Sequence, residues 1–126
     1  MTRPTAATRL AAFGTTLAAV SALALLGAGP TVARSAPTCA GHRATIVGTA
    51  GANELHGTNG PDVIVGRGGN DDIEGRGGND IICGNGGSDE LEGGRGNDHL
   101  YGGPGRDEAE GGPGRDSCVA EETESC

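Results

Sequence analysis

Seven aspartates recur at a nine-residue interval: Asp62, Asp71, Asp80, Asp89, Asp98, Asp107 and Asp116, with Asn53 holding the same place one interval earlier. Two residues before each aspartate stands a glycine: Gly60, Gly69, Gly78, Gly87, Gly96, Gly105 and Gly114. Evenly spaced carboxylates beside unobstructed backbone carbonyls suit a hard cation, because Ca2+ takes about six to eight oxygen ligands from such groups. Other chemistry has little support. His42, His56 and His99 are 14 and 43 residues apart, which is no compact zinc spacing. Ser88, Ser117 and Ser125 lack the strained elbow of a hydrolase nucleophile. Glu121, Glu122 and Glu124 read as a solvated end rather than a ligand set.

The aspartates belong to units that must place them. From residue 48 the chain reads GTAGANELH, GTNGPDVIV, GRGGNDDIE, GRGGNDIIC, GNGGSDELE, GGRGNDHLY, GGPGRDEAE and GGPGRDSCV, eight units with no residue inserted or lost. Glycine fills the first and fourth positions throughout, and the eighth is always apolar or Cys: Leu55, Ile64, Ile73, Ile82, Leu91, Leu100, Ala109 and Cys118. The glycine-rich half suits a turn that other residues avoid. The last three residues are too few for a helix and carry β-forming bulk such as Val63, Ile64 and Val65. Only their middle side chain points inward, since side chains alternate across a strand.

One unit is therefore a turn plus a short strand, and two units complete one coil of a flattened solenoid. Residues eighteen apart then stack. One edge collects Asp62, Asp80, Asp98 and Asp116, and the other collects Asn53, Asp71, Asp89 and Asp107. Such columns repel unless a counter-ion lies among them. The segment 39–47 keeps the apolar eighth position at Ile46 but lacks the fourth glycine and the acid, as a degenerate capping coil does.

Composition sets the outer limits. The 126 residues include 26 Gly, one Phe, one Tyr and no Trp, too little bulk for an ordinary enzyme core. Seventeen acids against nine arginines give a net charge of −8, the wrong sign for a nucleic-acid binder. Residues 1–33 read as a cleavable export signal, with Arg3 and Arg9 ahead of an uncharged run over 10–28 and small residues around Ala33. Its removal leaves 93 residues, 23 of them Gly, with a net charge of −10 and no stable membrane insertion expected. The four cysteines, 39, 83, 118 and 126, are then expected to pair outside the cell. Three connectivities are open, with Cys39–Cys83 and Cys118–Cys126 preferred. The expected organisation is a signal peptide over 1–33, a linker and capping coil over 34–47, the repeat array over 48–119 and an acidic tail over 120–126.

Written as G-G-x-G-x-D-x-(aliphatic)-x, the units over 48–119 resemble the RTX, or hemolysin-type, calcium-binding repeats. The signal, the glycine turns and the four cysteines also resemble small exported calcium-binding proteins of actinobacteria. The resemblance implies an all-β, right-handed parallel β-roll of two sheets, with calcium between stacked turns on both edges. It implies ligands from the sixth-position residues Asn53 to Asp116, and roughly five or six ions. Units 66–74, 75–83 and 84–92 carry glycine at the third place instead of the second. Thr58, Pro61 and Asn53 mark the first two turns as the weakest sites. Because the core is poor in apolar bulk, folding is expected to be coupled to calcium binding. The expected function is non-catalytic calcium binding by a secreted monomer, extracellular or associated with the envelope. The alternative is a calcium-dependent recognition surface for an envelope glycan or protein.

Overall fold

A computed structural model describes residues 35–126, so the export signal expected over 1–33 lies outside the described residues. Ala36–Cys126 form one compact unit. It holds twelve short strands: β1 (Thr38–Cys39), β2 (His42–Arg43), β3 (Ile46–Val47), β4 (Glu54–His56), β5 (Val63–Arg67), β6 (Asp72–Glu74), β7 (Ile81–Asn85), β8 (Glu90–Glu92), β9 (His99–Tyr101), β10 (Glu108–Glu110), β11 (Ser117–Val119) and β12 (Glu122–Glu124).

From β3 onward, alternate strands enter opposite sheets, in the orders β3-β5-β7-β9-β11 and β4-β6-β8-β10-β12. All these pairings are parallel. Ile46 faces Ile64, Ile64 faces Ile82 and Ile82 faces Leu100, while Leu55 faces Ile73 and Ile73 faces Leu91. The offset is eighteen residues, two units per coil, and the solenoid makes about four turns. The eighth positions meet between the sheets. Ile64, Ile73, Ile82, Leu91, Leu100 and Ala109 are buried there, with Ile46, Leu55 and Cys118 partly buried at the ends.

The outward faces of the two sheets differ. Along the β4–β12 sheet, one column runs Glu54, Asp72, Glu90, Glu108 and Glu122, and the next runs His56, Glu74, Glu92, Glu110 and Glu124. His56 lies 3.1 Å from both Glu54 and Glu74, and Arg76 pairs with Glu74 at 3.0 Å. The β3–β11 sheet instead carries Val47, Val65, Cys83 and Tyr101 in register. The antiparallel hairpin β1–β2 packs onto this side through β1 against β5 and β7. Val65 and Cys39 are buried, and Cys39 is bonded to Cys83. The cap thus comprises a hairpin ahead of its single roll strand, β3.

At the other end, 121–126 is exposed, Ala120 packs partly buried against the core, and this segment contributes β12. Glu122 pairs with Glu108, an offset of fourteen, so the last half-coil is four residues short of the repeat. The Cys118–Cys126 bond closes this end of the core. Both disulfides have the preferred connectivity.

Candidate metal centre

Each turn between strands presents its sixth residue to the edge of the roll. There the side chains of Asp71, Asp80, Asp89, Asp98 and Asp107 are buried, with Asp80 and Asp98 at 0% exposure. Full burial of a carboxylate with so few cations nearby needs an explanation. Half of it is internal. The Oδ1 atoms of Asp71, Asp80, Asp89, Asp98 and Asp116 accept the backbone N–H of the sixth residue one coil earlier, at 2.7–2.8 Å, and Asp107 does so from Asp89 at 3.0 Å. These bonds lock successive coils in register.

The second oxygen has no such partner. The Oδ2 atoms of Asp71, Asp80, Asp89, Asp98, Asp107 and Asp116 are all buried without a hydrogen-bond donor. Burial pushes the carboxyls of Asp80 and Asp89 up to about 6, against the backbone bond that lowers them, and the stacked carboxylates on either side add to the rise. Burial also raises Asp71 and Asp98, and the charge of Asp116 adds to the rise at Asp98. Columns of this kind are held as anions only at a cost, and a bound cation removes it.

Backbone oxygens lie beside these carboxylates. A Cβ placed on Gly75 would lie 2.5 Å from Asp80 Oδ2 and 2.6 Å from the carbonyl oxygen of Gly93, one coil on. On Gly93 it would lie 2.7 Å from Asp98 Oδ2 and 2.8 Å from the Gly111 carbonyl. Glycine at the first position therefore leaves open a cradle walled by a carboxylate of one turn and a carbonyl of the next. The fourth-position glycines stack as closely, since a Cβ on Gly87, Gly105 or Gly114 would collide with the carbonyl of Gly69, Gly87 or Gly96. Among the described residues no three His, Cys, Asp or Glu side chains converge on one point. A donor set of one or two carboxylates plus carbonyls fits calcium, which accepts both, better than metals that demand imidazole or thiolate.

Residues 47–82 and 84–118 match the RTX calcium-binding nonapeptide repeat, in four copies. The chain belongs to that RTX calcium-binding repeat family. No curated protein and no solved structure matches it. The two parallel sheets are those of a right-handed β-roll, and the chain's role is structural calcium binding rather than catalysis. Within this RTX roll, the expected site residues fall into two groups. Asp71 to Asp116, with Gly69 to Gly114, share one turn geometry. Its fourth glycine is left-handed, and so is its second residue, whether that is Gly94, Gly103 and Gly112 or Arg67, Arg76 and Asn85.

The turns at 48–53 and 57–62 are built differently. No residue from 42 to 66 has positive φ, so Gly51 and Gly60 are not left-handed. Asp62 Oδ2 accepts the Thr58 N–H at 2.6 Å and the Thr58 hydroxyl at 2.9 Å. Asn53 Oδ1 accepts the Thr49 N–H at 2.7 Å. The sequence reading did not single out the first-position carbonyls or Thr49, and took Thr58 only as the mark of a weak site. The unbroken glycine at the first position was the available signal for those carbonyls.

Proposed function

We propose that the chain works outside the cell as a calcium-loaded roll, with one ion for each orphaned Oδ2, six in all. Asp71, Asp80, Asp89, Asp98, Asp107 and Asp116 supply the carboxylates. The first- and fourth-position glycines supply carbonyls, and the backbone bonds to Oδ1 aim each carboxylate. Bound calcium supplies the positive charge that the buried columns otherwise lack. Folding and binding are then one process, because the site exists only once two coils are stacked. The observation that carries this reading is the set of six buried, unpartnered carboxylate oxygens.

Two disulfides in a chain of this size support an oxidising compartment, and with it secretion. No helix among the described residues is long and apolar enough to cross a membrane. Calcium outside cells suits modules with dissociation constants of about 10⁻⁴–10⁻³ M. The test is calorimetric stoichiometry on the oxidised monomer. Six ions, bound cooperatively, is the expected result, and three or fewer would overturn the assignment of one ion per carboxylate.

A further inference from the structure

Asp62 and Asn53 stand in the same register as the six orphaned carboxylates, yet neither appears among the buried atoms lacking a partner. The difference lies in the residue at the second position. Thr58 donates both its backbone N–H and its hydroxyl to the same oxygen, Asp62 Oδ2, and its hydroxyl also accepts the Gly60 N–H at 3.1 Å. Thr49 repeats the arrangement one unit earlier, with its N–H on Asn53 Oδ1 and its hydroxyl 3.1 Å from Asn53 Nδ2 and 3.2 Å from the Gly51 N–H. Positions 67, 76 and 85 hold Arg, Arg and Asn, and positions 94, 103 and 112 hold Gly, so a hydroxyl stands at this place only in the first coil.

The rest of the first coil is tied down by bonds that need no ion. Thr45 and Val63 exchange hydrogen bonds through the Thr45 hydroxyl, at 3.0 and 3.2 Å. The hairpin β1–β2 covers Val65, and Cys39 in it is bonded to Cys83 at the end of the second coil. The first coil then offers the Asn53 and Asp62 N–H groups to Asp71 and Asp80, the first carboxylates of the orphaned set.

We infer that Thr49 and Thr58 are positioning residues that close the first coil without calcium, and that this coil is a preformed template on which the calcium-dependent coils assemble. The inference rests on the calcium reading above only for the later coils. The chain is thereby polar along its axis: the N-terminal end holds its shape in the absence of the ion, and calcium extends that shape towards Cys126.

Residue-resolved amide hydrogen exchange on the oxidised chain, in chelator and in calcium, tests this. In chelator, the amides of Thr49, Thr58 and Gly60, whose acceptors all lie within the first coil, are expected to exchange about tenfold or more slowly than those of Asp80, Asp89 and Asp98. Equal exchange in the two groups, whether both are open or both protected, would overturn the template. The calcium reading is judged separately, by whether calcium slows the amides of Asp80, Asp89 and Asp98. Thr58→Val keeps the N–H and removes the hydroxyl, and should cost the first coil its protection in chelator while leaving the calcium stoichiometry unchanged. Unaltered protection in that variant would also overturn the inference. Should the variant not fold, the parent comparison in chelator still decides.

Discussion

The turn over 57–62 and the turn over 75–80 carry the same sixth-position aspartate, stack eighteen residues apart on one edge, and are joined by a bond from the Asp62 N–H to Asp80 Oδ1. Yet one carboxylate is satisfied by Thr58 and the other keeps a buried oxygen with no donor. A hydroxyl on a residue with negative φ closes the first turn, whereas Arg76 sits at φ 80° with its side chain drawn away to Glu74. The residue four before the aspartate thus separates a turn whose second carboxylate oxygen has a donor from one whose oxygen is left bare. Burial alone does not separate them, since Asp62 is 7% exposed and Asp80 0%.

The largest effect that sharpens this contrast is removal of calcium. Circular dichroism in strong chelator should lose most of its strand signal, because the coils from 66 onward hold all six orphaned oxygens, and should regain it on adding calcium. A strand signal indifferent to chelation would erase the distinction between the two kinds of turn.

Single substitutions divide the same way. Asp89→Ala, in the middle of its column, removes a proposed ligand and the acceptor of the Asp71 N–H. It should lose one bound ion and about 3–5 kcal/mol of stability in calcium, the range for breaking a buried charge pair. Asp116→Ala should cost less, because Asp116 is only partly buried at the end of its column. Asp62→Ala removes hydrogen bonds but no proposed ion, so about 1–2 kcal/mol and an unchanged stoichiometry are expected. Denaturant unfolding in calcium, paired with calorimetry, measures both quantities. Equal losses at positions 62 and 89 would break the comparison.

Acid should act in opposite senses with and without the ion. Asp80 and Asp89 have carboxyls raised from 3.8 to about 6 by burial and by neighbouring carboxylates. A raised carboxyl favours the protonated folded state, so its contribution is fully present below pH 3.8 and is lost as the pH rises through about 6. In chelator the later coils should therefore gain order when the pH falls from 7 to about 4. In calcium, protons compete for the same oxygens, and affinity should fall below about pH 6. Asp89→Asn should flatten the first dependence; ellipticity followed against pH in chelator is the measurement, and a rise in order with increasing pH would refute the sign.

The sequence reading captured what depends on period. Ile64, Ile82 and Leu100 stack because strand, turn and coil all repeat in phase, and the two aspartate columns follow from the same count. What escaped it depends on conformation within one turn or on contacts outside the repeat. Thr58 reaches Asp62 only because its backbone is not left-handed, and no periodicity encodes that. The hairpin β1–β2 has two residues per strand and is held by a bond to distant Cys83. β12 breaks the eighteen-residue offset, so Thr123 meets Ala109 from a position the period does not mark. The middle units carry glycine at the third place instead of the second, but the backbone conformation is not displaced with it. Gly68 and Gly77 do not have positive φ, while Arg67 and Arg76 before them do.

That last observation supplies the smallest test of the contrast between turns. Arg76 occupies at φ 80° a place that Gly94 and Gly112 occupy at φ 90° and 87°. A non-glycine residue in the left-handed region costs roughly 1–2 kcal/mol. Replacing it with glycine recovers that strain and returns about half to the greater freedom of the unfolded chain. The ion pair from Arg76 to Glu74 is exposed and worth little. Arg76→Gly should therefore stabilise the calcium-bound roll by about 0.5–1 kcal/mol, read as a rise in Tm in saturating calcium. Thr58→Gly should do the reverse. Its φ is not left-handed, so glycine relieves no strain there, and it removes the hydroxyl that closes the turn. Shifts of the same sign in the two variants would mean that the second position is equivalent in both kinds of turn.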